Sequence, residues 1–356
     1  MNIIMVAGGT GGHIYPALAL ADKLVEYHHN VTFMGSSSRM ESKIIPSHNY
    51  PFIALNIKNY TGVKGRFKTL WNLLKVQKEV KELFRKEKPD LVIGFGNYIS
   101  VPVILAAKSL HIKTIIHEQN SQFGKANLFL ARFVDLVIGS YSENVKQYSK
   151  TKVLGNPRGS KLYEYPKDVS CLKDYGLNPN KKTVLFVMGS LGSSSVNEHM
   201  LEVLKELQQE EFQVLYVTGE KGYDAFVEKY QGNSRIKVVK YIDGLKVMKS
   251  VDLIVCRAGA TTLSEITACG LASITIPSPY VPGNHQYHNA MALHRKQASI
   301  CVLEKELQKD ILANLIKELI YDDLRLEKLK RNALKFGYPC AINDIISEIN
   351  KVTKVK

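Results

Sequence analysis

Short apolar runs recur along this chain, each followed by a longer stretch of helical periodicity, and that alternation limits the fold more than any other feature. "NIIMVA" (residues 2–7) precedes "PALALADKLVEYHH" (16–29), and "VTFMG" (31–35), "LVIGFG" (91–96), "KTIIH" (113–117) and "DLVIG" (135–139) continue the series. Strands separated by helix-length segments pair in parallel, because the chain needs a crossover to re-enter the sheet in the same direction. The pattern predicts β-α-β units around a parallel sheet.

The series breaks at "VLGNPRGSKLYEYPKD" (153–168), where prolines, glycines and polar residues predict a linker. It restarts with "KTVLFVMGS" (182–190), "QVLYVTG" (213–219), "IKVVKYI" (236–242), "DLIVCRAG" (252–259) and "ASITIP" (272–277). At 356 residues the chain is long enough for two cores. The expected fold class is α/β with two Rossmann-like, doubly wound domains, residues 1–157 and 158–339, and a helix in 340–356. That last segment carries apolar residues at 342, 345, 346 and 349, the spacing of one buried helix face. Either domain is open to it, with a return to the first as the expectation.

Five cysteines (Cys171, Cys256, Cys269, Cys301 and Cys340) are odd in number and widely spaced, with no C-x-x-C pair. A reduced chain without a disulfide framework or zinc site is expected. Neither a membrane-spanning apolar run nor a signal-peptide pattern is read from the sequence. Lys and Arg exceed Asp and Glu by 48 − 33 = 15. Such an excess favours an anionic partner: nucleic acid, an anionic membrane surface or a phosphorylated substrate. A solvated basic surface is the plainer alternative.

Glycine-rich turns stand where strands hand over to helices. In "GGTGGH" (8–13) the missing Cβ atoms let backbone approach a ligand, and the helix start aims N–H groups at an anion. The dinucleotide pattern G-x-G-x-x-G fails there, since Ile14 holds the third glycine position, and no acidic residue closes the second strand. "MGSLGSSSVN" (188–197) is suited to a phosphate, or to ordinary helix capping by Ser193 or Ser194. In "CRAGATTLSEITACG" (256–270), Thr262 and Glu265 fit a capping box, while Glu265 is equally suited to a ribose diol. "IPSPYVPGNHQYHNA" (276–290) brings His285, Gln286 and Asn289, side chains that suit sugar hydroxyls. No D-x-D metal-binding pattern occurs, so helix termini and basic side chains are expected to stabilise a departing diphosphate.

Five blocks, "GGTGGH" (8–13), "HEQN" (117–120), "GNPR" (155–158), "RAGATTLSEI" (257–266) and "NHQYHNA" (284–290), stand in that order. The set resembles the MurG family of peptidoglycan glycosyltransferases over roughly the first 300 residues. The resemblance implies the GT-B fold, two Rossmann-like domains with an interdomain cleft. It implies inverting transfer of N-acetylglucosamine from UDP-GlcNAc to the C4 hydroxyl of lipid I, the undecaprenyl diphosphate-linked muramoyl-pentapeptide, forming lipid II for the cell wall. UDP-GlcNAc is then a substrate, no cofactor or obligatory metal is expected, and the protein is expected to be peripheral at the cytoplasmic face of the cell membrane. Nucleic acid is not an expected partner. Rival readings keep the fold but act as a glycolipid synthase or a UDP-GlcNAc epimerase.

By the same resemblance, Ile242 contacts uracil, Glu265 holds the ribose diol, and Ser190 with Ala260, Thr261 and Thr262 faces the diphosphate. Gln286 and His285 contact the GlcNAc hydroxyls. Thr10, Gly11 and Gly12 approach the diphosphate or the reacting sugars, and Asn120 lies near the acceptor. Arg158 is the implied phosphate ligand, although relatives carry arginine one position later, where this chain has Gly159. Inverting transfer needs a base on the acceptor hydroxyl. His13 is the leading candidate and Glu118 its rival; a mere capping or diphosphate-binding role for His13 stays open.

The stretch "VKGRFKTLWNLLKVQKEVKELFRKEK" (63–88) carries two apolar stripes at helical spacing. Leu73, Val76, Val80, Leu83 and Phe84 form the expected core face. Phe67, Leu70, Trp71 and Leu74 form another, ringed by Lys64, Arg66, Lys68, Lys75, Lys78 and Lys81. An apolar stripe rimmed by cations suits a lipid–water interface, and packing under a neighbouring loop is the alternative.

Overall fold

The computed structural model describes residues 1–57, 62–188, 194–230 and 232–354, with side chains over the same ranges except at 62–67, 194–195, 197–198, 221 and 309. The chain divides into two compact units, Met1–Arg158 with Cys340–Lys356, and Gly159–Pro339. Each is built on one parallel sheet.

The first sheet contains β1 (Asn2–Val6), β2 (Asn30–Ser36), β3 (Phe52–Leu55), β4 (Leu91–Gly94), β5 (Lys113–Glu118), β6 (Leu136–Gly139) and β7 (Thr151–Val153). Its spatial order is β3-β2-β1-β4-β5-β6-β7. Successive residues of a strand face opposite sides, and here both sides are covered. Ile3 and Met5 pack against the helix Gly11–Glu26, whereas Ile4 and Val6 pack toward the helices Gly62–Glu87 and Ser100–Ser109. The helix Ala341–Thr353 joins this unit: Ile342, Ile345, Ile346 and Ile349 are buried in the same cluster as Ile3 and Met5.

The second sheet contains β8 (Thr183–Val187), β9 (Gln213–Val217), β10 (Ile236–Val239), β11 (Leu253–Cys256), β12 (Ala272–Thr275) and β13 (Ile300–Cys301), in the order β10-β9-β8-β11-β12-β13. Val184 and Phe186 serve one core, Leu185 the other.

The expected linker at 153–168 is instead mostly ordered secondary structure. β7 ends at Val153, and Pro157 opens a helix, Pro157–Glu164, where a residue lacking an N–H costs nothing. Leu162 of that helix is buried in a core of the second unit. The strand expected over 236–242 stops at Val239, which leaves Ile242 half-buried in the following turn. β3, β7 and β13 fall outside the runs read from the sequence. All three are sheet-edge strands, short and buried on fewer sides, so they lack the continuous apolar signature.

Candidate active site

In both sheets the strand order reverses, between β1 and β4 and between β8 and β11. Crossovers leave in opposite directions there, and a crevice opens beyond the strand C-termini. In the first unit this is where the turn after β1, the turn after β4 and the loop after β5 meet.

Thr10 caps the helix Gly11–Glu26 in extended conformation without a side-chain cap, and His13 is the third residue of that helix. The two side chains meet: Thr10 Oγ1 lies 3.1 Å from His13 Nδ1. When Nδ1–H donates to that hydroxyl, Nε2 carries the lone pair. The ring rests against Gly96, where an added Cβ would come within 3.3 Å of Nε2. Gly96 also has φ +91°, so the position is closed to other residues twice over.

Glu118 ends β5 and is buried. Its Oε1 accepts from Asn120 N (3.0 Å) and Asn120 Nδ2 (3.1 Å), and its Oε2 from Gly124 N (3.0 Å) and Asn127 Nδ2 (2.9 Å). Burial raises the carboxyl's pKa above the ordinary carboxylate value, and these donors only partly offset it. The carboxylate therefore ties the loop after β5 together, and Asn120 is held by both its backbone and its side chain. Beside it, His117 is buried and pushed down to about 4, chiefly by burial. Its Nε2–H donates to Gly155 O at 2.9 Å and its Nδ1 accepts from Gln119 Nε2 at 3.1 Å, the pairing of a neutral ring.

Two further groups hold the first glycine turn. Glu41 Oε2 accepts from Gly9 N at 3.0 Å, and Asn97 Nδ2 donates to Gly8 O at 3.1 Å. Arg158 is half-buried, its guanidinium 5.6 Å from the centre of the Tyr15 ring.

In the second unit the helix Ala260–Cys269 is capped by Gly259, with no side-chain cap. Of the two readings of Thr262 and Glu265, the capping box is not formed: Thr262 is already inside the first turn, and Glu265 is buried one turn further on. Ala260 is buried, Thr261 and Thr262 half-buried. Arg257, in the same turn, is buried and pairs with Glu304 at 2.7 Å, while donating to Ile276 O. The stretch 276–290, read from sequence as one loop, is a loop only as far as Asn284: His285 and Gln286 open the helix His285–His294, where His285 Nδ1–H donates to Pro282 O at 2.8 Å and Gln286 Oε1 accepts from Ser278 N at 2.9 Å. Their other polar atoms, imidazole Nε2 and the amide nitrogen, remain as the groups suited to sugar hydroxyls. Asn289 Nδ2 donates to Ala258 O at 3.3 Å and so ties that helix to the turn after β11. Ser190 lies outside the described residues.

The helix Gly62–Glu87 divides its faces as its periodicity predicts. Val76, Val80 and Phe84 are buried in the core, with Leu73 and Leu83 packed against it. Leu70, Trp71 and Leu74 are exposed, Trp71 to 76%. The Phe67 side chain lies outside the described residues. Among the described residues, no helix is long and apolar enough to cross a membrane, and no group of three or more His, Cys, Asp or Glu is arranged to hold a metal ion.

Comparison with known proteins places this geometry. Residues 3–138 match the glycosyltransferase family 28 N-terminal domain, and residues 183–345 the glycosyltransferase family 28 C-terminal domain. A Halalkalibacterium halodurans protein named UDP-N-acetylglucosamine–N-acetylmuramyl-(pentapeptide) pyrophosphoryl-undecaprenol N-acetylglucosamine transferase is 39% identical over 99% of this chain and 100% of its own length. A Bacillus licheniformis protein of the same name is 40% identical over 99% of both. The chain belongs to the MurG family of glycosyltransferases. The crystal structure of Acinetobacter baumannii MurG superposes with a TM-score of 0.81 at 26% identity, covering 98% of this chain and 99% of that one. A UDP co-structure of Staphylococcus aureus MnaA, at TM-score 0.71 and 14% identity, shares the fold alone.

Within the MurG-family frame, sequence reading missed Glu41, Asn97, Asn127 and Arg257. Glu41 and Asn127 stand in no motif, and only the folded chain brings them to the glycine turn and to Glu118. Arg257 sits inside a quoted stretch and Asn97 directly follows one, yet their partners, Glu304 and Gly8, are remote in sequence.

Proposed function

We propose that this chain transfers N-acetylglucosamine from UDP-GlcNAc to the C4 hydroxyl of lipid I with inversion, producing lipid II. The observation that carries this reading is the 39–40% identity, over essentially the whole chain, to relatives named for that reaction. The site chemistry supports it. His13 acts as the base: with Nδ1–H donated to Thr10, its Nε2 takes the acceptor proton as the C4 oxygen attacks the anomeric carbon and the UDP oxygen leaves. Glu118 is a poor competitor, because taking a proton would break one of its four hydrogen bonds. It orients Asn120 toward the acceptor instead. Thr10, Gly11 and Gly12 line the approach to the reacting groups, and Arg158 meets a phosphate.

The second unit holds the donor. Glu265 accepts from the ribose diol, the N–H groups at Ala260, Thr261 and Thr262 face the diphosphate, Ile242 borders the uracil, and Gln286 and His285 meet the sugar. The helix start stabilises charge on the departing UDP. UDP-GlcNAc is a substrate, and no cofactor is needed for this displacement. Leu70, Trp71 and Leu74, with the surrounding lysines, rest on the anionic cytoplasmic face of the membrane, where lipid I is held.

The test is UDP release from UDP-GlcNAc with and without a lipid I analogue in detergent. Release that depends on the analogue is expected. Release without it would replace the reading with an epimerase or a hydrolase. In the same assay, His13→Ala should cut turnover by about 10²–10⁴-fold while UDP-GlcNAc affinity stays within about twofold. Near-normal turnover would remove His13 as the base.

A further inference from the structure

The peptide bond joining Gly8 and Gly9 is held at both of its polar ends. Its N–H, on Gly9, donates to Glu41 Oε2 at 3.0 Å, and its C=O, on Gly8, accepts from Asn97 Nδ2 at 3.1 Å. Glu41 is fully buried, and its other oxygen accepts from Ser36 N at 3.1 Å, so the carboxyl is anchored to the end of β2. Asn97 is anchored as well: its Oδ1 accepts from Tyr98 N at 2.6 Å. It sits at φ +68°, a left-handed conformation that asparagine tolerates.

The surrounding glycines make room for these two side chains. A Cβ on Gly8 would collide with Glu41 Oε1, one on Gly9 with Asn97 Nδ2, and one on Gly35 would lie 2.7 Å from Glu41 Cγ. A Gly–Gly peptide has no Cβ on either side to resist rotation, so it is the peptide most free to flip. Thr10 and His13 follow directly, and Gly96, against which the His13 ring rests, is the neighbour of Asn97.

We propose that Glu41 and Asn97 are positioning residues that clamp the Gly8–Gly9 peptide and thereby hold the Thr10–His13 pair in register for proton transfer; the proposal rests on the transferase reading above. In this role the Gly9 N–H faces a buried carboxyl and takes no part in binding phosphate. The glycines serve the clamp first and the ligand second.

The test uses Glu41→Gln, Asn97→Gly and the double variant in the full chain. Glycine accepts φ +68°, so Asn97→Gly removes the amide without backbone strain. Three quantities are read: kcat with the lipid I analogue, affinity for UDP-GlcNAc, and hydrogen exchange of the Gly9 amide in ¹⁵N-glycine-labelled protein. Each single variant should lose on the order of 10–100-fold in kcat, as expected for a misplaced catalytic group. UDP-GlcNAc affinity should stay within about twofold, and Gly9 exchange should accelerate in Glu41→Gln. The double variant should fall no more than about threefold below the weaker single, because both hydrogen bonds act on one peptide. Multiplicative losses, or a kcat within about twofold of the parent in Asn97→Gly, overturn the clamp. If Glu41→Gln does not fold, Asn97→Gly alone decides by that kcat criterion. If the parent itself shows no transfer, the transferase reading has failed instead. Gly9 exchange then judges the clamp: acceleration in Glu41→Gln supports it and unchanged exchange overturns it.

Discussion

At the scale of single residues, the first unit stores a pH dependence in His117. Burial holds this imidazole neutral, with a folded pKa of about 4 against an ordinary 6.5. The unfolded chain therefore takes up its proton first as pH falls. The stability this residue contributes is complete above about pH 6.5 and is lost progressively down to about pH 4. Between pH 7 and pH 5 the loss should be about 2 kcal/mol, read from denaturant unfolding of the first unit. His117→Asn should be less stable at pH 7 yet nearly flat across that window; an unchanged slope would assign it to other groups. His13 and Glu118 stood out as candidates in sequence because each lies in a compact block, "GGTGGH" or "HEQN". Glu41 was not, because nothing local distinguishes a carboxyl that will be buried under a turn from one left in water.

At the scale of elements, the helix Gly62–Glu87 shows what periodicity can and cannot give. It separated the buried Val76, Val80 and Phe84 from the exposed Leu70, Trp71 and Leu74, because a period near 3.6 residues encodes faces directly. What an exposed face meets is not encoded in the period. On anionic vesicles Trp71 emission should shift to the blue and rise, and Leu70→Ser with Leu74→Ser should weaken vesicle binding about thirtyfold or more, each side chain contributing roughly 1 kcal/mol or more. Emission unchanged by vesicles would remove the membrane role from this face. Where strands are short or lie at a sheet edge, as with β3, β7 and β13, the sequence signal fades with the burial that causes it. The helix Pro157–Glu164 escaped for a different reason. Its proline and glycine read as breakers, although proline is well placed at a helix start.

At the scale of the molecule, the chain leaves the first unit after Arg158 and re-enters it at Cys340. The returning helix Ala341–Thr353 buries Ile345 and Ile349 in the first unit's core, and Lys152 pairs with Glu348 at 2.5 Å. Ile349→Ala should cost about 2–5 kcal/mol of that unit's stability. Hydrogen exchange should accelerate in β1 and the helix Gly11–Glu26 while the second sheet keeps its protection; uniform acceleration would show that the two units unfold together. The periodicity of this segment was plain in sequence, but its partner was not, since an apolar face carries no address.

The return of that helix also sets a timetable for birth on the ribosome. Residues 1–158 leave the ribosome first, yet the face that Ile342, Ile345, Ile346 and Ile349 will cover stays bare until the whole second unit has been made. At about 5–20 residues per second that interval lasts on the order of ten seconds or more. During it the apolar residues of the first unit that this helix will cover have no partner from the chain's own end. A chaperone, or a neighbouring nascent chain, has that long to find them.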